Sequence, residues 1–128
     1  ECIISNRYIH DEKRNWRKEW NYAFAFNLIF AVSMNRGRYF DISGYPETGK
    51  YLKEIIDLRE KYREFFYGGR FIAADDLELE GETYASHYES NGRRITALCN
   101  NNDSPVTVDV YGKKTVIEPS CHAVVENF

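Results

Sequence analysis

The apolar pattern of the chain changes type at Gly68 and Gly69, inside the stretch "DLREKYREFFYGGRFIAADDLELEG". Before these glycines apolar residues recur at helical spacings of three and four, and after Phe71 they move toward the alternation of strands. The glycines indicate a helix end and a chain reversal. We therefore predict an α+β protein, with two long helices in residues 1–69 and a small antiparallel β-sandwich of about six or seven strands in residues 70–128.

The first predicted helix covers residues 11 to about 36, and Gly37 is placed to end it. Its apolar stripe comprises Trp16, Trp20, Ala23, Phe24, Leu28, Ala31 and Val32. Phe26, Ile29 and Phe30 lie off that stripe, so the helix is apolar nearly all round, which is typical of the interior of a larger body. The longest apolar run in this segment, "AFAFNLIFAVSM", has about 12 residues and is shorter than the roughly 20 needed to span a bilayer.

The second predicted helix begins at Thr48 or Glu47 and extends for about five turns. Its apolar face comprises Tyr51, Ile55, Leu58, Tyr62 and Phe65. Charged residues occupy most of the other positions, which is typical of an amphipathic helix with one buried side.

Strand patterns dominate the remaining sequence. Leu77 and Leu79 alternate with glutamates, and valines alternate with polar residues over 106–110. The segments "TYASHYE" and "RRITALCN" are joined at "SNG", which predicts a hairpin because Asn and Gly tolerate positive φ. Further turns are predicted at "NNNDSP", "YGKK" and "EPS", and this spacing favours a sandwich.

Charge divides unevenly between the two parts of the chain. Residues 1–70 carry 13 basic and 10 acidic side chains, whereas residues 71–128 carry 4 basic and 10 acidic ones. An acidic surface is poorly suited to nucleic acid or anionic lipid, whose binding needs Lys and Arg to neutralise phosphates. We expect neither nucleic acid nor a membrane as a partner.

The cysteines and histidines do not form a metal-binding motif. Cys2, Cys99 and Cys121 lack C-x-x-C spacing, and the histidines (His10, His87 and His122) share no ligand spacing. Cys99 and Cys121 could bridge two strands in an oxidising compartment, or remain free as small buried hydrophobes. The sequence also lacks phosphate-binding glycine motifs and a G-x-S-x-G nucleophile motif, so we expect no cofactor.

Two constellations could carry chemistry, and each has a structural interpretation. Cys121 and His122 are adjacent as a thiol and a base would be, but neighbours in a strand point to opposite faces. Asp75 and Asp76 could bind calcium or act as acid and base, together with the glutamates Glu78, Glu80 and Glu82. The alternation of those glutamates also fits a solvated strand face.

Three tyrosines are candidates for sugar binding. Tyr84 and Tyr88 share one strand face with Ser86, and Tyr111 adjoins a turn. Exposed aromatic rings offer planar apolar surfaces on which sugars stack. Tyrosine is also an ordinary strand residue, so core or edge packing is the alternative.

The order of parts resembles the C-terminal end of bacterial glycoside-hydrolase-like (β/α)8 barrel proteins of an uncharacterised family. A buried helix follows "IISNRY", a long helix ends "LREKYREFFYGGRF", and an acidic β tail closes with "VIEPSCHAVVENF". The resemblance covers nearly the whole sequence. It implies a non-catalytic fragment, in which the last barrel helices are followed by a sandwich that supports the barrel and allows weak sugar binding.

The resemblance also implies which catalytic residues and which partners to expect. Barrel enzymes place their acid and base at the carboxyl ends of several strands, so no catalytic residue is assigned to this chain. The expected partners are the remainder of the parent barrel, carbohydrate, and a second copy bound through exposed apolar helix surface. We expect a soluble protein, and the resemblance is compatible with a secreted or periplasmic location in a bacterium without fixing the compartment.

Two alternatives remain open at the level of sequence. One is a free-standing α+β binding or scaffold domain, whose helices cover one face of the sheet. The other is a small hydrolase that uses Cys121 or the pair of Asp75 and Asp76, and it requires one of these side chains to meet a histidine in a cleft.

Overall fold

The computed structural model describes residues 5–10, 16–34 and 46–128. In these ranges the helices are α1 (Trp16–Ala25), α2 (Pro46–Lys61) and α3 (Arg63–Phe66). The strands are β1 (Ser5–His10), β2 (Ile29–Met34), β3 (Arg70–Ala73), β4 (Thr83–Ser90), β5 (Arg93–Asn100), β6 (Val106–Val110), β7 (Lys113–Ile117) and β8 (Cys121–Asn127). The predicted α+β class is confirmed.

The C-terminal strands form two antiparallel sheets. The larger has the order β3-β4-β5-β8, and β6 pairs with β7 as a hairpin. Alternate side chains of the larger sheet meet the hairpin in a shared core, as in a sandwich. This hairpin-facing core comprises Ala74, Ala85, Leu98, Val106, Val108, Val110, Ile117 and Val125. The six strands β3 to β8 match the predicted size of the sandwich.

Helices cover the opposite face of the four-stranded sheet, which is therefore the middle of three layers. On β5, Ile95 and Ala97 face the helices whereas Leu98 faces the hairpin, because successive strand residues point to opposite sides. The helix-facing core comprises Trp20, Phe24, Tyr51, Leu52, Ile55, Tyr62, Phe65, Phe66, Tyr88, Ile95 and Ala97. β5 is consequently buried at every position from Ile95 to Asn100.

The first helix is shorter than predicted because the chain turns at Asn27. The Leu28 amide donates to the carbonyl of Ala23 at 2.8 Å. The Asn27 amide donates to that of Phe24 at 3.1 Å. These two bonds form a Schellman motif, in which Asn27 takes the left-handed position with a φ of 51°. The prediction that the helix continues to about residue 36 is wrong, and the predicted stop at Gly37 lies outside the described residues.

The apolar residues beyond Asn27 form a strand instead. β2 pairs in parallel with β1, from Ser5 opposite Ile29 to His10 opposite Met34. α1 is the crossover between them, since parallel strands cannot be joined by a tight turn. A short apolar run is compatible with helix and strand alike, which explains the error. The N-terminal part is therefore not wholly helical: it is a strand–helix–strand unit followed by α2 and α3.

The second helix agrees closely with its predicted pattern. It begins at Pro46, whose fixed φ suits the first helical position. Its predicted apolar face is buried at Tyr51, Ile55 and Tyr62 and half-buried at Leu58, and Phe65 continues it in α3. Hydrophobic patterning therefore sufficed to place this helix.

One buried residue of α2, Arg59, was not predicted from the apolar spacing because its side chain is charged. The Arg59 guanidinium donates to the carbonyls of Ala23 at 2.7 Å and Leu28 at 2.9 Å. It also lies 3.9 Å from the centroid of the Phe30 ring. Burial lowers the pKa of Arg59 to about 10, and the side chain joins α2 to the carboxyl end of α1.

The glycine pair between helix and sheet is required by a close approach of backbones. A Cβ atom on Gly69 would lie 2.4 Å from the Phe65 carbonyl oxygen and 2.9 Å from that of Glu89. Any side chain there would push α3 away from β4. The predicted change from helix to strand at this point is confirmed, since α3 ends at Phe66 and β3 begins at Arg70.

Two predicted turns are confirmed, and one predicted strand is wrong. Asn91 and Gly92 have φ angles of 50° and 72°, as a two-residue hairpin turn requires. Tyr111 and Gly112 do the same, with φ angles of 56° and 75°. The segment 77–80 forms no strand, although its two leucines pack against the hairpin-facing core as the alternation predicted.

Candidate functional site

The tyrosines proposed from the sequence do not form one surface. Tyr84 and Tyr88 share the helix-facing side of β4, in register with Cys99 and Ile95. Tyr88 is only 2% exposed, and its hydroxyl donates to the carbonyl of Ala25 at 2.8 Å. Its ring has no open face, because it packs into the helix-facing core.

Tyr111 lies on the other side of the sheet. Its hydroxyl accepts a hydrogen bond from the Thr96 hydroxyl at 2.7 Å and lies 3.2 Å from Nδ1 of His87. Of the three predicted tyrosines, Tyr84 is therefore the one that borders a groove on the helix side.

We call this groove the tyrosine groove. It has a volume of 240 Å³ and lies between α1 and the edge of the four-stranded sheet. The lining residues are Lys18, Glu19 and Tyr22 from α1 and Glu82, Tyr84 and Asn101 from the sheet and its loops. The groove therefore combines aromatic surface with carboxylate, ammonium and amide groups.

Three aromatic rings meet at one wall of the tyrosine groove. The Tyr22 and Tyr84 rings cross edge to face, with centroids 5.1 Å apart and planes at 84°. Phe26 supports both, at 4.7 Å from Tyr22 and 6.1 Å from Tyr84. Tyr22 is 40% exposed and leaves aromatic surface open to solvent.

Asn101 fixes the floor of the tyrosine groove. Its side-chain amide donates to the Lys18 carbonyl at 2.9 Å and accepts from the Asn21 amide at 3.3 Å. Its backbone amide donates to the carbonyl of Glu82 at 2.9 Å. A single buried residue thus bonds to both walls and holds them at a set distance.

The charged groups of the groove are partly paired. Lys18 Nζ lies 3.5 Å from the Glu82 carboxylate and 3.6 Å from that of Asp103. Burial raises the pKa of Tyr84, and the nearby Glu82 carboxylate adds to the effect. The Tyr84 hydroxyl is therefore protonated at neutral pH and able to donate a hydrogen bond.

A second polar cluster lies on the hairpin side of the sheet. Nε2 of His87 lies 2.8 Å from the Asp76 carboxylate, and Nδ1 lies 2.8 Å from the Thr96 hydroxyl. The order of acid, imidazole and hydroxyl is that of a hydrolase triad. However, Thr96 is fully buried and His87 is 1% exposed, so no substrate reaches the hydroxyl. The cluster fastens the loop of Asp76 and the Tyr111 turn to the sheet.

Asp76 also borders an acidic cleft of 650 Å³. The polar residues of this cleft are Asp76, Glu78, Glu80, Thr107, Asp109 and Lys114. The hydrogen bond from His87 lowers the pKa of Asp76, opposite to what a general acid needs. In the described ranges no three His, Cys, Asp or Glu side chains are arranged to hold a metal ion. The predicted partner Asp75 does not line the cleft.

Cys121 and His122 point to opposite faces of β8, as the strand pattern predicts. Cys121 contacts the hairpin-facing core, whereas His122 faces the helices, not solvent. Nδ1 of His122 lies 3.0 Å from the Tyr51 hydroxyl, which also hydrogen-bonds Asn21. Burial lowers the pKa of His122 to about 4, so the imidazole is neutral and serves as a hydrogen-bonding partner of α2.

The possible bridge between Cys99 and Cys121 does not form. Cys99 is paired in register with His122, so its side chain lies on the opposite face of the sheet from Cys121. Both thiols are free. Burial raises the pKa of Cys99 to about 12, which leaves it without nucleophilic character at neutral pH.

Most residues of the tyrosine groove were missed from the sequence. Tyr22 lies off the apolar stripe of α1, which predicts exposure, but its neighbour Tyr84 is 62 residues further along the chain. Asn101 belongs to a stretch that predicts only a turn. Its contacts with α1 depend on tertiary packing, for which a single sequence has no local pattern.

Comparison with known proteins adds no family assignment. No protein-family model matches the chain, and no curated protein matches it. No helix in the described parts of the chain is long and apolar enough to cross a membrane. The interpretation of this chain therefore depends on its own geometry.

Proposed function

We propose that this chain is the non-catalytic C-terminal part of a carbohydrate-active enzyme of the glycoside hydrolase class. The parallel pairing of β1 and β2 carries the proposal. Purely parallel sheets occur almost only with helices on both faces, and a (β/α)8 barrel alternates strand and helix. The order β1-α1-β2-α2 contains two such strand–helix units.

The sandwich has contacts suited to supporting a barrel end. The hydroxyl of Tyr62, which lies between α2 and α3, donates to the Glu126 carboxylate of β8 at 2.6 Å. Arg93 of β5 forms an ion pair with Glu64 of α3. Together with the helix-facing core, these contacts fix the last helices against the sheet. The role that we infer for the sandwich is to stabilise the barrel.

Apolar surface on the N-terminal part is consistent with a further partner. Ile29 of β2 is 49% exposed and Ile56 of α2 is 42% exposed. Exposed apolar side chains on a strand of a parallel sheet are typical of an interface with further structure. The partner that we propose is the remainder of the parent barrel, and a second copy would cover the same surface in its absence.

The first test is enzymatic. The purified chain is incubated with a panel of chromogenic nitrophenyl glycosides of the common hexoses and pentoses, and nitrophenol release is recorded. We expect no turnover, because the acid and base of a barrel glycosidase lie on several strands. Turnover by the purified chain would show that it is catalytic and would refute this part of the proposal.

The second test distinguishes a barrel end from a free-standing α+β domain. The coding sequence upstream of Glu1 is determined, and we expect several hundred residues with alternating strand and helix patterns. A start codon immediately before Glu1, combined with a well-behaved monomer in light scattering, would instead favour the free-standing domain.

A further inference from the structure

The tyrosine groove has the chemical character of a sugar subsite. We propose that it binds a single uncharged pyranose ring of an oligosaccharide. This inference rests on the proposed function and gives the chain a ligand site of its own. The groove volume of 240 Å³ lies below the range of about 300–1,000 Å³ found for drug-sized ligands, which suits one ring and not an extended chain.

The aromatic wall supplies the apolar contact that a pyranose needs. One face of a pyranose presents C–H groups, which pack on the planar surface of an aromatic ring. Tyr22 offers open ring surface, and Tyr84 and Phe26 hold it from behind. Because each ring touches the other two, the platform is fixed before a ligand arrives.

The polar groups facing this wall match hydroxyl groups and disfavour anions. The carboxylates of Glu19 and Glu82 accept hydrogen bonds, and the Lys18 ammonium donates them. Two carboxylates and one ammonium repel a phosphate or a uronate, so a neutral ligand is favoured. The spacing of 3.5 Å between Lys18 and Glu82 allows a sugar hydroxyl to contact both charges.

The groove is preorganised by three consecutive asparagines. Asn101 bonds both walls at the floor, as described above. The side-chain oxygen of Asn102 accepts from the Glu82 amide at 3.0 Å, and the backbone and side-chain amides of Asn102 are both bound by Asn100 at 2.9 Å. A binding wall that is already ordered loses less conformational entropy when the ligand binds.

Chemical-shift mapping of the intact ¹⁵N-labelled chain tests the inference. Cellobiose, maltose and N,N′-diacetylchitobiose are titrated separately, and amide shifts are followed. For at least one of these saccharides we expect saturable shifts that cluster at residues 18–22, 82–84 and 101. This measurement needs no substitution, so it remains decisive even if a groove variant folds poorly.

Matched tyrosine variants identify the wall that binds. Tyr22→Ala should weaken the affinity about fivefold or more, from the loss of aromatic contact, whereas Tyr22→Phe should largely preserve it. Tyr67→Ala is the control, because Tyr67, which directly follows α3, is 58% exposed and does not line the groove. We expect this control to leave the affinity unchanged.

Several outcomes would overturn the inference without affecting the proposed function. They are the absence of saturable shifts with all three saccharides, shifts confined to another surface, or equal losses in the Tyr22→Ala and Tyr67→Ala variants. Conversely, glycoside turnover by the chain would overturn the non-catalytic role while saccharide binding at the groove persisted.

Discussion

The two faces of the four-stranded sheet are packed by different chemistry. Seven of the eleven buried residues in the helix-facing core are aromatic. The hairpin-facing core has no aromatic residue among its buried members and consists of aliphatic side chains, half of them valines. Large rings fill the space between the helices and the sheet, whereas short branched side chains interdigitate between the two sheets.

The difference determines how each layer is positioned. Buried tyrosine hydroxyls need hydrogen-bond partners, and those of the helix-facing core reach across to another element. Tyr88 bonds the Ala25 carbonyl, and Tyr51 bonds Asn21 and His122. These bonds fix the direction as well as the distance of the helices. Aliphatic contacts with the hairpin are non-directional, so the hairpin depends on a few separate polar anchors.

The largest expected effect comes from removing a ring from the helix-facing core. Phe24 is fully buried and contacts Phe66 and His122 at centroid distances of 5.4 and 5.1 Å. Phe24→Ala should lower the free energy of unfolding by about 3–5 kcal/mol, because the contacts of this ring with α3 and β8 are lost and a cavity remains. Urea denaturation followed by circular dichroism measures the loss.

A milder truncation on the hairpin side provides the comparison. Ile117 is 2% exposed in the hairpin-facing core, and Ile117→Val should cost about 0.5–1.5 kcal/mol. The variant removes one methylene and leaves the helices undisturbed. Equal losses in the two variants, or a greater loss for Ile117→Val, would contradict the expectation that the cost follows the volume removed from each core.

Local sequence patterns predicted those elements whose causes are local. The turn at Asn91 and Gly92 followed from tolerance of positive φ, and the buried side of α2 followed from its spacing. The end of α1 was missed because Asn27 takes a position at which Gly is the usual residue. The apolar run after it fits either element, and its parallel pairing with β1 depends on residues more than twenty positions away.

The candidate site was predicted less well than the fold. Sequence patterns indicated Tyr84, but the same patterns also indicated Tyr88, which is buried, and Tyr111, which lies in the turn of the hairpin and bonds the opposite side of the sheet. These tyrosines differ in exposure because the helices cover some parts of the sheet and not others. Asn101 and Tyr22 became part of the groove only through that packing, and no local propensity specifies it.

Two adjacent asparagines bond opposite faces of the sheet, and replacing either one should have an intermediate effect on the free energy of unfolding. Asn100 donates to the carbonyls of Ser104 and Ile117 at 2.8 and 2.9 Å, on the hairpin side. Asn101 donates to the Lys18 carbonyl at 2.9 Å, on the helix side. Asn100→Ala and Asn101→Ala should each cost about 1–3 kcal/mol, because buried carbonyls lose their partners.

Amide hydrogen exchange distinguishes the two variants. Asn100→Ala should increase exchange mainly in β6 and β7, whereas Asn101→Ala should increase it mainly in α1, because each residue anchors a different layer. The same exchange pattern in both variants would mean that the layers open together, and would contradict the view that each asparagine anchors a different layer.

The expected effects of pH also differ between the faces. His122 on the helix side has a folded-state pKa of about 4, below its ordinary value of 6.5. As pH falls from 6.5 to 4 the unfolded chain gains a proton that the folded chain resists, so stability should decline by an amount on the order of 3 kcal/mol. On the hairpin side, the hydrogen bond from His87 lowers the pKa of the exposed Asp76 below its ordinary 3.8. Its contribution is present above that value and lost only as pH falls further, and it should be under about 1 kcal/mol.

Urea denaturation at a series of pH values separates the two contributions. His122→Gln should flatten the decline between pH 6.5 and 4, because the glutamine amide can bond the Tyr51 hydroxyl without titrating. Asp76→Asn should leave that decline intact and alter only the more acidic end of the profile. A decline between pH 6.5 and 4 that survives in His122→Gln would show that the helix-facing side is not the acid-sensitive one. In that case the comparison between the faces would hold for packing but not for electrostatics.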